Sequence, residues 1–183
     1  MPRVAKWLGD AMEGLMASKM PLMKVLETTY INPNIKKIRF KGIIAGMNFQ
    51  LGYAVLIRIN DTEYRNYTVS FSDVESGILE IIFHIHGQAL GSIFIDNLNV
   101  GDEIRISMPR GQKQYDSSVK HFLFGDETSL GLACSFLPYL KKNQHEFQFY
   151  FELDDSNVNV PQLLDLENYS IFSKNEIFIM RYL

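Results

Sequence analysis

Over residues 4–16 the apolar positions Val4, Trp7, Leu8, Ala11, Met12, Leu15 and Met16 recur at steps of three and four. That spacing puts them on one face and predicts an amphipathic N-terminal helix within residues 1–20. Lys6, Asp10 and Glu13 break any continuous apolar core of the kind a signal peptide carries. Gly9 and Gly14 each weaken the helix by about 1 kcal/mol relative to Ala, so it is expected to depend on tertiary contacts.

Past Pro21 the period shortens to two. Strands are predicted over Leu22–Tyr30, Ile35–Phe40, Tyr53–Ile59, Tyr64–Phe71, Ile78–His86 and Glu103–Met108. The turn clusters Asn32-Pro33-Asn34, Asn60-Asp61 and Ser76-Gly77 separate several of them. In the third run Val55, Ile57 and Ile59 share a face; in the sixth, Ile104 and Ile106 point inward with Arg105 and Ser107 outward. Six strands joined mostly by short turns predict an antiparallel barrel or sandwich. The long connection Gly87–Asp102 holds the apolar stretch Ile93–Leu98 and is expected to contain a helical turn.

From Lys120 the pattern changes to α/β. His121–Phe124 predicts a buried strand, Ser129–Leu140 a helix, and Glu146–Glu152 a second strand. Val158–Leu166 predicts a short helix and Glu176–Met180 another strand. Strand, helix, strand begins a parallel layer.

The chain has 183 residues, 46% hydrophobic and 21% charged, which excludes a disordered chain. Its 18 basic and 21 acidic residues give a net charge of −3, which argues against nucleic-acid binding. No apolar run is long enough to span a membrane. One cysteine, Cys134, excludes an internal disulfide; it falls mid-helix among apolar residues, where an inert thiol is expected. These features lead to an expected location in the cytoplasm.

Three stretches could carry chemistry. In Tyr64-Arg65-Asn66-Tyr67-Thr68, Arg65 and Tyr67 share a strand face. A guanidinium beside a phenol, with the Thr68 hydroxyl nearby, suits a ligand that is both anionic and aromatic. A solvated strand face fits the same spacing. In His84-Ile85-His86-Gly87 two histidines at i and i+2 could chelate a metal, but no further ligand stands at a suitable spacing, so no metal is expected. Gly91-Ser92 downstream leaves backbone amides and a hydroxyl for an anion. In Gly125-Asp126-Glu127-Thr128-Ser129-Leu130-Gly131, a glycine at a strand end and a hydroxyl at a helix start make a candidate ligand edge, or a simple helix cap by Asp126 or Thr128. No nucleophile motif is present, and no catalytic residue is assigned.

In this order the segments Asn34–Gly42, Arg65-Asn66-Tyr67-Thr68, Phe83-His84-Ile85-His86-Gly87, Gly101-Asp102-Glu103-Ile104, Pro109-Arg110-Gly111 and Gly125–Leu130 resemble the siderophore-interacting protein family, a branch of the ferredoxin-reductase-like flavoproteins. The resemblance covers roughly residues 22–155. It implies a six-stranded antiparallel Greek-key barrel that binds FAD, residues 21–117, then an abbreviated Rossmann-like, NAD(P)-binding-like α/β domain, residues 118–183. It further implies that Arg65 meets the FAD phosphates, Tyr67 the isoalloxazine and Thr68 its reactive edge. His86, Gly87, Gly91 and Ser92 would line the pyrophosphate side, and Gly125–Thr128 would face the nicotinamide nucleotide. The loop after His86 reads Gln88-Ala89-Leu90-Gly91-Ser92 where the family carries a Pro-Ala-Ser run. The implied activity is NAD(P)H-dependent, flavin-mediated reduction of a ferric siderophore with release of iron. A remnant that binds a flavin or a partner without turnover is the alternative. A short parallel sheet is also expected to expose Leu137, Phe149, Phe151 and Phe178, and so to favour a homo-oligomer through residues 120–183.

Overall fold

Asn32-Pro33-Asn34 reverses the chain between the first two strands, with the Asn32 Oδ1 accepting from the Asn34 backbone N–H at 2.9 Å. The computed structural model describes residues 7, 20–111 and 120–174. Six strands form one antiparallel sheet: β1 (Leu22–Asn32), β2 (Ile35–Lys41), β3 (Ala54–Arg58), β4 (Tyr64–Asp73), β5 (Ile78–His84) and β6 (Glu103–Arg105). Their order is β3-β4-β5-β2-β1-β6. Beyond β6, bridges Ile57–Ile106 and Ala54–Arg110 bring the chain back to β3 and nearly close a barrel.

Alternation fills the barrel. Val25, Ile38, Phe40, Val55, Ile57, Leu79, Ile81 and Ile106 are buried in one cluster. The long connection holds helix α1 (Leu90–Asp96), whose Ile95, with Leu98 beyond it, joins that cluster at one end of the barrel. Ser107, expected outside, is buried: its Oγ accepts from the Leu56 backbone N–H at 2.8 Å and donates to the Met108 carbonyl at 3.0 Å. It stitches the returning strand to β3 where the ladder is incomplete.

The second unit is a parallel sheet in the order β7 (Lys120–Gly125), β8 (Glu146–Leu153) and β9 (Tyr169–Ser173). Helix α2 (Leu130–Lys142) and the single turn α3 (Val160–Leu163) make the crossovers. Leu130, Ala133, Phe136 and Leu140 of α2 pack against Phe149, Phe151 and Leu153 of β8 and also reach Ile35 and Ile82 on the barrel wall. This shared core joins the two units.

Several expectations change here. The strand expected to be buried, β7, has no buried residue: Phe122 and Phe124 are exposed and His121 and Leu123 half-buried, because no described element covers that face of the sheet edge. Phe149 and Phe151 are buried, because their face of β8 meets α2; the opposite face exposes Phe122, Phe124 and Phe172. Leu137 is half-buried. The third strand is Tyr169–Ser173, a run that the sequence reading passed over. The helix expected within residues 1–20, the strand expected over Glu176–Met180, and Phe178 lie outside the described residues. Among the described residues no helix is long and apolar enough to cross a membrane.

Candidate functional site

The loop before β4 aims its first charged pair. The Asn60 Oδ1 accepts from the backbone N–H groups of Thr62 and Glu63 at 2.9 and 3.0 Å, and this turn carries Glu63 into the protein, 6% exposed. The Glu63 carboxylate then holds Arg65: Nη2 to Oε2 is 2.7 Å, and the Arg65 Nη1 donates to the Tyr64 carbonyl at 3.1 Å. Two residues on, the Tyr67 ring packs edge-to-face on Phe83 with centroids 4.7 Å apart. Burial pushes the Tyr67 phenol up to about 12 despite the opposing field of Arg65, so its hydroxyl stays protonated and can donate at neutral pH.

Both side chains close on α1. A Cβ at Gly91 would lie 3.0 Å from the Tyr67 hydroxyl oxygen, 3.5 Å from the Arg65 Cγ and 3.8 Å from its Nε. A larger residue here would press on the Tyr67 hydroxyl, which would have to give by a few tenths of an ångström. Ser92 beside it is buried, and its Oγ accepts from the His86 backbone N–H at 3.1 Å, tying the first turn of α1 to the end of β5. No side chain caps that turn. Arg65, Tyr67, Gly91, Ser92 and the backbone of His86 therefore stand together. The His86 ring and Gly87 are exposed at the rim. Thr68 lies beneath α2, its carbonyl 3.5 Å from where a Gly131 Cβ would stand.

Gly125 and Thr128 sit elsewhere, at the C-terminal edge of the parallel sheet. Asp126 caps the turn, its Oδ1 accepting from the Thr128 N–H at 2.9 Å and from the Thr128 hydroxyl at 2.6 Å. A Cβ on Gly125 would fall 2.4 Å from the Ser129 Cβ. Gly125→Ala must displace that turn, and a loss of about 1–3 kcal/mol is expected in urea unfolding. An unchanged midpoint would show that the turn yields freely.

Between the two clusters lies a group that the sequence reading did not assemble. Glu127 is fully buried. Its Oε1 accepts from the Asp154 N–H at 2.8 Å and the Asn157 Nδ2 at 3.0 Å, and its Oε2 pairs with the Lys174 Nζ at 2.5 Å. Burial alone would raise this carboxyl, but the donors outweigh it and hold the pKa at about 2. The Asn157 Oδ1 in turn accepts from the Asn32 Nδ2 at 2.9 Å, linking the network to the β1–β2 turn. His84 joins from the barrel: ligand-type atoms of His84, Glu127 and Asp154 lie within 4.8 Å of one another. Lys174, also 3.8 Å from the Asp154 Oδ2, already supplies the positive charge there. The members of this group are scattered from residue 84 to 174; His84 and Glu127 lie in stretches singled out above, but no local pattern brings the group together. Cys134 is half-buried and its thiol is pushed up to about 12 by burial, which leaves it inert.

Residues 22–115, the barrel with its cluster around Arg65, match the oxidoreductase FAD-binding domain. The chain belongs to this family. FAD is thus its cofactor, and the donor set agrees: a cation, a neutral phenol and a close glycine backbone suit a group carrying both phosphates and an aromatic ring. Among solved structures the chain is similar to a siderophore utilization protein from T. fusca, at 22% identity and a TM-score of 0.74 over 86% of this chain and 70% of that one. It is also similar to the siderophore-interacting protein SipS from Aeromonas hydrophila, at 18% identity and a TM-score of 0.66 over 85% and 71%. Phthalate dioxygenase reductase matches at 16% identity and a TM-score of 0.72, over 91% of this chain and 56% of that one. These likenesses establish the ferredoxin-reductase-like fold. A search of curated proteins finds no match.

Proposed function

We propose that the chain is the flavin-binding part of an NAD(P)H-dependent reductase acting on ferric siderophores. The observation that carries this is the convergence of Arg65 and Tyr67 on Gly91 inside an FAD-binding barrel. The structural likeness to siderophore proteins supports the choice of substrate. In this reading Arg65, Gly91 and Ser92 hold the FAD phosphates, with the backbone of His86 and Gly87 beside them. Tyr67 lies against the ring system and Thr68 near its edge. Gly125 and Thr128 face the nicotinamide nucleotide. When bound, FAD supplies both hydride acceptance and single-electron transfer, and the protein supplies position and charge. The reaction would take place in the cytoplasm, where reduced nicotinamide is available, and would serve iron acquisition.

Purified protein should carry flavin absorbance or take up added FAD. At 100 times the dissociation constant, FAD should add about 2.7 kcal/mol. That corresponds to a rise of about 5 °C in melting temperature. NADH or NADPH should then bleach the flavin bands under anaerobic conditions, and a ferric siderophore should restore them. Melting unchanged by FAD, FMN and riboflavin would remove the flavin reading. Flavin that binds but resists bleaching would favour the alternative, a flavin- or partner-binding protein without turnover.

The open aromatic face favours association with a second copy of the chain, whichever of the two readings holds. The Phe124 and Tyr150 rings stack at 4.8 Å, and Phe122 and Phe124 are 65% and 73% exposed. Parallel sheets are normally covered on both faces, so a second copy of the chain would find apolar surface here. Light scattering of a concentrated sample should report a dimer that Phe124→Lys disrupts; a wild-type monomer would count against it.

A further inference from the structure

The β2 alternation that sends Ile38 and Phe40 into the barrel also sends Lys36 inward. Lys36 is 2% exposed. A buried ammonium is costly unless its protons are all bonded, and these are. Nζ donates to the carbonyls of Ile95 at 3.1 Å, Asp96 at 2.8 Å and Leu98 at 2.9 Å. These carbonyls belong to the last turn of α1 and the residues just beyond it, where a helix leaves acceptor capacity unfilled; the Ile95 carbonyl accepts from the Leu98 N–H at 3.2 Å as well. The Tyr30 ring lies 5.2 Å from the same Nζ, and the Tyr30 hydroxyl donates to the Asp96 carboxylate. Across the ladder Lys36 pairs with Phe83, the residue that supports Tyr67.

We propose that Lys36 is a positioning residue of the flavin site: its ammonium pins the end of α1 to the barrel and so sets where Gly91 and Ser92 stand against Arg65 and Tyr67. The proposal rests on the FAD reading above. α1 has seven residues and no side-chain cap at its start. Its described polar ties to the barrel are the His86–Ser92 bond in front and the Lys36 and Tyr30 contacts behind. A helix so short does not hold itself, because nucleation is unfavourable and few bonds follow it. Without Lys36 the phosphate side of the site loses its fixed wall, while Tyr67, held by Phe83, keeps the ring side.

The test uses the full chain and the variants Lys36→Met, which removes the ammonium and keeps the apolar stem, and Lys36→Gln, which keeps a shorter donor. FAD and riboflavin are titrated calorimetrically, and amide hydrogen exchange is followed in α1 and in the β2–β5 ladder. In Lys36→Met, FAD binding should weaken about tenfold or more, as expected for loss of a pre-organised anchor, with riboflavin changed less than about threefold. Exchange should rise at Ile93, Asn97 and Leu98, whose amides bond within α1 and its last turn, while the ladder keeps its protection. Lys36→Gln should recover part of the FAD affinity. Equal losses for FAD and riboflavin, or exchange rising equally in α1 and the ladder, would make Lys36 a general structural residue and overturn the proposal. FAD affinity unchanged from a wild type that does bind FAD would overturn it too. A wild type that binds neither flavin would instead overturn the FAD reading itself, leaving the exchange data to judge the anchor.

Discussion

Glu127→Ala is expected to cost about 3–5 kcal/mol, a large share of the stability of a chain this size. The substitution leaves the Asp154 N–H, the Asn157 amide and the Lys174 ammonium without their acceptor. It also detaches β7 from the ends of β8 and β9 and loosens the link to the β1–β2 turn. Glu127→Gln should cost less, because an amide oxygen can still accept from Asp154 and Asn157 while only the charge pairing with Lys174 is lost. Urea unfolding followed by circular dichroism measures both, and a loss under about 1 kcal/mol for alanine would contradict the account. The same carboxylate makes the fold acid-sensitive. Its folded pKa, about 2, lies below the ordinary value of 4.5, so its contribution is complete above that value and declines as pH falls toward 2. A depression of that size is worth about 3 kcal/mol. Stability measured from pH 6 to pH 2 should fall across this window in the wild type, and much less in Glu127→Gln.

Arg65→Ala should weaken FAD by about 10- to 150-fold, the worth of one charge-assisted bond to phosphate. Riboflavin, which has no phosphate, should be affected much less. Arg65→Lys should recover part of the loss, because an ammonium keeps the charge and not the fork. The structure adds a second consequence. Glu63 is buried against Arg65, so alanine also removes a charge partner from a buried carboxylate and should cost about 1–3 kcal/mol of stability. Pairing it with Glu63→Gln should restore most of that stability and little of the FAD affinity. Calorimetric titration with FAD and riboflavin separates these effects. Equal losses for both ligands would move Arg65 from the phosphates to the ring, and no loss for either would remove it from the site.

Lys36, Glu63 and Glu127 are all charged residues that a reading of periodicity treats as surface. Each is buried, and two are tolerated because their partners come from elsewhere: α1 carbonyls for Lys36, and the ends of β8 and β9 for Glu127, whereas Glu63 meets Arg65 two residues on. Arg65 and Tyr67 could be picked out because a strand repeats every two residues, so two positions on one face are neighbours whatever the fold. That Gly91 faces them depends on how a long loop returns across the barrel, which no local period encodes.

The sequence by itself determined the class and most of the described elements, β9 excepted. Alternation of Val55, Ile57 and Ile59, the turn at Asn32-Pro33-Asn34 and the helical spacing after Ser129 are local consequences of backbone geometry, and they reappear as β3, the β1–β2 turn and α2. Only the tertiary structure decided which face of β8 is buried, since Phe149 and Tyr150 alternate equally well with either side inward until α2 packs on one of them. It alone gathered His84, Glu127, Asp154 and Lys174 between the barrel and the parallel sheet. The physical reason is range: hydrophobic period and turn chemistry act over a few residues, whereas burial and charge pairing are settled by chain segments that meet only after folding.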